Sequence, residues 1–220
     1  MKKTKTQIFT KMLLGISIPV VLTFIVSGVI ISNRVGESMK AQAAKTLDAT
    51  SLAAANQVDS FLSYYLAEMK SAAASQQAEE FLASSKGNMK LTDSEYYPGM
   101  KTTLDKIQAT DKDNILASWI ADIDLSQATM SDGYTTEPGW DILTRPWFRA
   151  TQTDQPILTE PYVDTNTGQI VITAACAVYE SGTGKPLGVV GIDIQLSQLS
   201  TIMSSYKTEA SGSLILTTDS

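Results

Sequence analysis

Histidine is absent from the 220 residues, and cysteine occurs once, as Cys176. The first absence excludes a Ser-His-Asp or Cys-His nucleophile, a histidine-ligated metal centre and a histidine pH switch. The second excludes an intrachain disulfide and a four-thiolate zinc site. Basic charge is scarce: 17 Lys and Arg face 23 Asp and Glu, a net charge of −6. That balance argues against nucleic acid as a partner. No G-x-S-x-G elbow and no Ser-Lys pair in a catalytic setting occurs, so an anchored hydrolase is disfavoured and no enzyme is expected. Neither a cofactor nor a metal is expected; Asp122 and Asp124 lack the regular oxygen spacing of a calcium loop and are expected in solvent.

A chain of this length accommodates one to two domains. The segment 12–32, MLLGISIPVVLTFIVSGVIIS, carries no charge over 21 residues. A helix of that length rises roughly 30 Å, the thickness of a bilayer's hydrocarbon core. Lys2, Lys3, Lys5 and Lys11 precede it with no acidic residue, leaving 13 basic against 23 acidic side chains after it, a balance of −10. The positive-inside bias places residues 1–11 in the cytoplasm and the remainder outside; the expected location is the bacterial inner membrane, crossed once within this fragment. A cleaved signal peptide ending near Ala41-Gln42-Ala43 is the rival; the apolar run is longer than a signal core, which favours an uncleaved anchor.

Residues 33–85 contain no proline and are rich in Ala, Ser, Gln and Glu. Ala44, Leu47, Ser51, Ala54, Val58, Phe61, Tyr65 and Ala72 recur at three- and four-residue steps, interrupted at Glu68. This rhythm predicts one long helix. Its stripe fits a homodimer across the long helix and fits equally a helix packed on its own domain. Lys86-Gly87-Asn88 is read as its terminator. A second helix is expected from Thr92-Asp93-Ser94, broken near Pro98-Gly99 and resuming to about Ala109. A strand follows at Ile115–Ile123, then a polar loop at Ser126–Gly139. Arg145–Ala150 reads as a short helix with proline in its first turn. Strands are expected at Ile157–Val163, Gln169–Glu180 and Leu187–Ile194, a helix at Gln195–Tyr206 and a last strand at Ser213–Thr217. Helices followed by hairpin-joined strands make an α+β fold with an antiparallel sheet. Cys176, in TAACAVY, is expected as a small buried side chain.

Trp140 with Arg145-Pro146-Trp147-Phe148, then Pro161-Tyr162-Val163-Asp164 with Thr167-Gly168, then the run Gly188–Ile194, stand in an order and spacing that resembles the double Cache sensor domain. Such domains form the extracytoplasmic part of methyl-accepting chemotaxis proteins and of some sensor kinases and diguanylate cyclases. The resemblance implies a PAS-like membrane-distal subdomain at 86–206 and the start of a membrane-proximal one at 207–220. It also implies a fragment or truncated product whose cytoplasmic output domain is absent from this chain. In amino-acid-binding members an Arg and aromatics hold the ligand carboxylate, while an Asp and a Tyr hold the ammonium. Arg145, Trp147, Tyr162 and Asp193 match these positions; Trp140 and Phe148 stand where the family has tyrosines. Phe148 keeps the ring without the hydroxyl, and Trp140 brings an indole N–H.

Residue chemistry points the same way. Arginine presents a two-pronged donor to a carboxylate, a buried aspartate needs a cation, and tryptophan faces attract one. The resemblance thus implies a chemoreceptor sensing an amino acid, amine or small carboxylate, with a kinase or cyclase sensor as the alternative. A ligand-free dimerisation stalk is a further alternative. Trp119 is expected as core and Asp164 as a turn former.

Overall fold

The computed structural model describes residues 2–206 except Asn88, with the side chains of residues 2–8 and 198 also outside the description. The expected strand at 213–217 lies outside the described residues. Contacts divide the chain into two compact units, Met1–Ala53 and Ala54–Ser220. One helix, α1, runs Lys2–Ala73.

In the first unit α1 contains a stretch long and apolar enough to cross a membrane. Its large side chains, among them Leu13, Ile18, Phe24 and Ile30, are all exposed. Pro19 lies inside the helix and has no N–H for the Gly15 carbonyl. Ser17 and Thr23 direct their hydroxyls to the Leu13 and Pro19 carbonyls at 2.7 and 2.8 Å. Both polar groups are therefore satisfied inside the helix, as an apolar solvent demands.

In the second unit the rest of α1 presents Tyr65, Met69 and Ala73, one turn apart, to the body of the unit, and all three are buried. Of the expected stripe, Ala54, Val58 and Tyr65 are buried on this domain; Met69 and Ala73, one residue off it, continue the packing where Glu68 and Ala72 are expected to lie. The long helix expected over 33–85 instead stops at Ala73, and α2 spans Gln76–Ala83. Ser75 is the cause. Its side chain accepts the Ala78 N–H at 3.2 Å, an N-cap that starts a new helix. A 3-10 turn at Leu91–Asp93 precedes helix α3, Tyr97–Thr110, so the expected break falls at Ser94–Tyr96, just ahead of Pro98, which lies in the first turn of α3 where a missing N–H costs nothing.

Strands β1 (Ile115–Asp122), β2 (Gln127–Met130), β3 (Ile157–Leu158), β4 (Tyr162–Val163), β5 (Ile170–Tyr179) and β6 (Pro186–Gln195) form one antiparallel sheet. Their order is β2-β1-β6-β5-β3, with β4 paired to β5 beside β3. Helix α4 (Leu196–Ser205) follows and packs Leu199 and Ile202 against Val58 and Ile172. Strand β2 falls where a polar loop is expected. All four of its residues are buried; Gln127 accepts the Leu91 N–H at 3.0 Å and Thr129 bonds Thr135 at 2.9 Å. The run Ile157–Val163 forms two short strands instead of one.

Alternation sorts the two faces. Val190, Ile192 and Ile194 of β6 meet the helices, together with Phe81, Leu82, Met100 and Leu104. Cys176 is buried on that side, as expected, and burial pushes its thiol pKa up. Asp122, expected in solvent, is 1% exposed; its Oδ1 accepts the Leu125 N–H at 2.7 Å and burial raises its pKa to about 6. Asp124 is exposed and bonds Lys185 at 3.1 Å. Val189, Gly191 and Asp193 face the other way, towards the segment carrying Trp140 and Trp147.

Candidate functional site

Asp193 lies in the middle of an apolar strand and is 3% exposed. The β5–β6 register sets Thr173 directly opposite it. The Thr173 hydroxyl donates to Asp193 Oδ1 at 2.5 Å, and the Tyr162 hydroxyl reaches the same oxygen at 3.4 Å. Tyr162 and Thr173 share a further bond of 2.7 Å between their hydroxyls. The indole N–H of Trp119 donates to Oδ2 at 3.0 Å. With the Thr173 proton given to Asp193, the Tyr162 proton serves the shorter bond to Thr173, so among the described residues the carboxylate has two close neutral donors, Thr173 and Trp119, and no ion pair. Burial, the largest influence, raises its pKa to about 6; the bonds from Thr173 and Trp119 pull down, and the charge of Asp164 pushes up. Burial and the neighbouring Asp193 charge raise the Tyr162 pKa as well.

Gly191 makes room for Trp119. The two are register partners, and a Cβ on Gly191 would stand 2.4 Å from the indole Cζ2. The ring therefore lies flat across β6 and turns its N–H to Asp193, two residues along. Trp119, expected only as core, is both core and a donor to the carboxylate. Thr173 is a site residue that the sequence reading missed. Its signal was a lone hydroxyl in an apolar strand, legible once the register with Asp193 is known.

The remaining site residues come from the loop after β2. Its Trp140 is followed by a 3-10 helix, Pro146–Gln152, started by Pro146. Trp147 is buried between Trp119, at a centroid distance of 4.5 Å, and Trp140, at 6.3 Å. Phe148 is half-buried in the same cluster. The Arg145 guanidinium carbon lies 4.4 Å over the Trp140 ring, and its Nε donates to the Asp141 carbonyl at 3.0 Å. A continuous series of contacts thus runs from the Arg145 cation across three tryptophans to the Asp193 carboxylate. All six expected site residues lie in this cluster, with the two charges at opposite ends and not bonded to each other.

Asp164 forms the turn expected of it: its Oδ2 accepts the Thr167 N–H and hydroxyl at 2.7 and 2.6 Å. The arrangement offers an anionic acceptor, a cationic fork and an aromatic wall between them. Such a set of groups is suited to holding a small charged solute.

Comparison with known proteins points in one direction. The ligand-binding domain of the Campylobacter jejuni chemoreceptor Tlp3, in complex with 4-methylisoleucine, superposes with a TM-score of 0.54 at 21% identity, covering 73% of this chain and 60% of that one. The ligand-binding domain of the Pseudomonas fluorescens chemoreceptor CtaA, in complex with L-alanine, gives 0.54 at 24% identity, covering 72% and 62%. That of the Pseudomonas aeruginosa PAO1 amino acid chemoreceptor PctC, in complex with GABA, gives 0.52 at 21%, covering 70% and 64%. At these identities the likeness concerns the fold. The methyl-accepting chemotaxis protein McpC of Bacillus subtilis (strain 168) is 33% identical over 75 residues, 33% of this chain and 11% of McpC. The chain therefore spans about 60% of the solved domains it matches and a small part of that curated relative. The family model for the first PDC sensor domain of methyl-accepting chemotaxis protein-like proteins matches residues 89–201, more than half of the chain. The chain belongs to this family of chemoreceptor-type Cache sensor domains.

Proposed function

We propose that the chain is the ligand-sensing region of a membrane-anchored chemoreceptor and that its site takes a small solute with an ammonium head, an amino acid or amine. The observation that carries this is Asp193: a carboxylate 3% exposed, with only neutral donors and no ion pair among the described residues. A buried charge without a counter-charge costs several kcal/mol, and an ammonium ligand supplies the missing partner. The tryptophan faces add cation–π attraction, and Arg145 is available for a carboxylate at the far end of the ligand. Isoleucine derivatives, alanine and GABA, held by chemoreceptor domains of this fold, share an ammonium and a carboxylate.

On this reading residues 1–11 are cytoplasmic and 12–32 cross the membrane; the exposed part of α1 that follows forms the stalk, and the sensor begins near Ala54, where α1 starts to be buried, instead of at residue 86. The lysines before the span favour this orientation. Pairing of two copies through the exposed part of α1, where Val35, Met39, Leu47 and Leu52 lie open, completes the receptor.

The test is a thermal-shift screen of the full chain in detergent micelles against amino acids, amines and carboxylates. A ligand at 100 times its Kd stabilises by about 2.7 kcal/mol. Arg145→Ala and Asp193→Ala are expected to remain folded and to lose the shift. An undiminished shift in both variants would overturn the site.

A further inference from the structure

We propose that the turn between β4 and β5, residues Asp164–Gly168, is a strap that closes over Asp193 and opens to admit the ligand. The inference deepens the ligand-sensing reading and rests on it only for what passes beneath the strap.

Strand order carries it. β4 pairs with β5, and β2 lies at the far margin of the sheet with β1 and β6 in between. Strands are spaced about 4.8 Å apart, so β5 and β2 are separated by roughly 14 Å. Yet the Asn166 side-chain amide, at the tip of the β4–β5 turn, donates to Met130 Sδ of β2 at 3.8 Å. Met130 is the register partner of Trp119 and shares its face and its apolar cluster. Thr173 and Tyr162, at the other margin, share the face of Asp193. The turn therefore crosses the site on its open side, above β6 and β1, where Asp193 and Trp119 lie.

The strap is shaped to move as one piece. Asp164 accepts two bonds from Thr167, the Gly168 N–H donates to the Asp164 carbonyl at 2.9 Å, and Gly168 holds φ +69, a conformation natural to glycine. Its two attachments differ. At the base, Tyr162 of β4 places its hydroxyl on Thr173 and Asp193. At the tip the latch is one amide donated to a thioether, a weak acceptor. Strand β4 itself is two residues long, with two register partners on β5. A firm base and a weak latch make a device that opens at the tip while Tyr162 stays beside the carboxylate.

The chain's three tryptophans are Trp119, Trp140 and Trp147, all in the apolar cluster that holds Met130, the residue the strap tip is latched to, so its fluorescence reports on this site. The experiment is acrylamide quenching of the full chain in detergent micelles, with no ligand present. Asn166→Ala removes the latch donor and Met130→Leu removes the sulfur while keeping an apolar side chain. Each is expected to raise the quenching constant roughly two- to fivefold, the opening expected on losing one weak hydrogen bond. Ser75→Ala, which loosens the N-cap of α2 far along the chain, is the control for general destabilisation and is expected to quench as wild type. Wild-type quenching in both strap variants overturns the proposal, as does an equal rise in the Ser75→Ala control. A rise in the strap variants, with no compound stabilising the wild type, leaves the strap standing and counts against the ligand reading alone.

Discussion

Replacing Asp193 by asparagine separates the charge of the site from its shape. The carboxyl pKa rises from 3.8 to about 6 on folding, chiefly through burial. A shift of about two units corresponds to about 3 kcal/mol at 1.36 kcal/mol per unit. The sign follows from proton counting. Between about pH 4 and 6 the folded chain holds a proton on Asp193 that the unfolded chain has released. Stability is therefore highest below pH 4, falls as pH rises through this window, and carries the whole cost above about 6.

Asparagine never ionises, so the variant loses this contribution. Its amide oxygen still accepts from Trp119, while its NH2 faces Thr173, whose hydroxyl turns to accept it and donates to Tyr162 in its place. Any residual mismatch, about 1 kcal/mol, is independent of pH. At roughly 2–4 °C of Tm per kcal/mol for a domain of this size, the fall in Tm between pH 4 and 7 is expected to be about 6–12 °C smaller in Asp193→Asn than in wild type. Asp122 titrates over the same range and contributes equally to both proteins. Melting curves of the full chain in detergent across this range are the assay. Parallel pH profiles for the two proteins would refute the unpaired buried charge, and with it the need for a cationic ligand. The same charge predicts that affinity for an ammonium ligand falls about tenfold for each pH unit below 6, a slope that titration calorimetry reads directly.

Gly191→Ala places a methyl against the Trp119 ring and is expected to cost about 1–3 kcal/mol in denaturant unfolding, with altered tryptophan emission; unchanged emission would mean the ring does not lie across β6. Tyr65→Phe removes the 2.6 Å bond to Asp111 Oδ2 and is expected to cost about 1.5–3 kcal/mol, as for a hydrogen bond to a charged group, with the site's fluorescence intact.

Much of the fold was legible because hydrophobic periodicity reports burial. The run Leu187–Ile194 reads as a strand covered on both faces, and Ala54, Val58 and Tyr65 follow helical steps. Where the sequence misled, polar residues are buried with partners that no periodicity reveals. Gln127 and Thr129 look like loop residues until Leu91 and Thr135 are set beside them, and Asp122 looks solvated until its Leu125 partner and its cover are known. Ser75 sits in a helical pattern and acts by capping, a choice decided by one side-chain bond. At the candidate site, the residues singled out by the resemblance, Trp140, Arg145, Trp147, Phe148, Tyr162 and Asp193, lie in one cluster. The roles of Trp119 and Thr173 were not readable, because they depend on strand register, which no single-strand pattern contains.

Register also places the site's charge close to the helix that holds the domain together. Two residues after Asp193, the Gln195 N–H donates to the Asn114 carbonyl at 2.9 Å. The Asn114 amide donates to Asp111 Oδ2 at 2.7 Å, and Tyr65 of α1 donates to that same oxygen at 2.6 Å. Strand β6 thus bears the site carboxylate on one face and ends in the bonds that fasten α1. Tyr65 is fully buried, and burial, together with the hydrogen bond to Asp111 and its charge, raises its pKa, so the hydroxyl stays a neutral donor in this contact. A ligand biases a conformational equilibrium only by binding one state better than the other. A charge neutralised at Asp193 is felt first along β6, the strand shared by the site and this fastening. Coupling between the two is measurable as non-additivity of Asp193→Asn and Tyr65→Phe, which strict independence would set to zero.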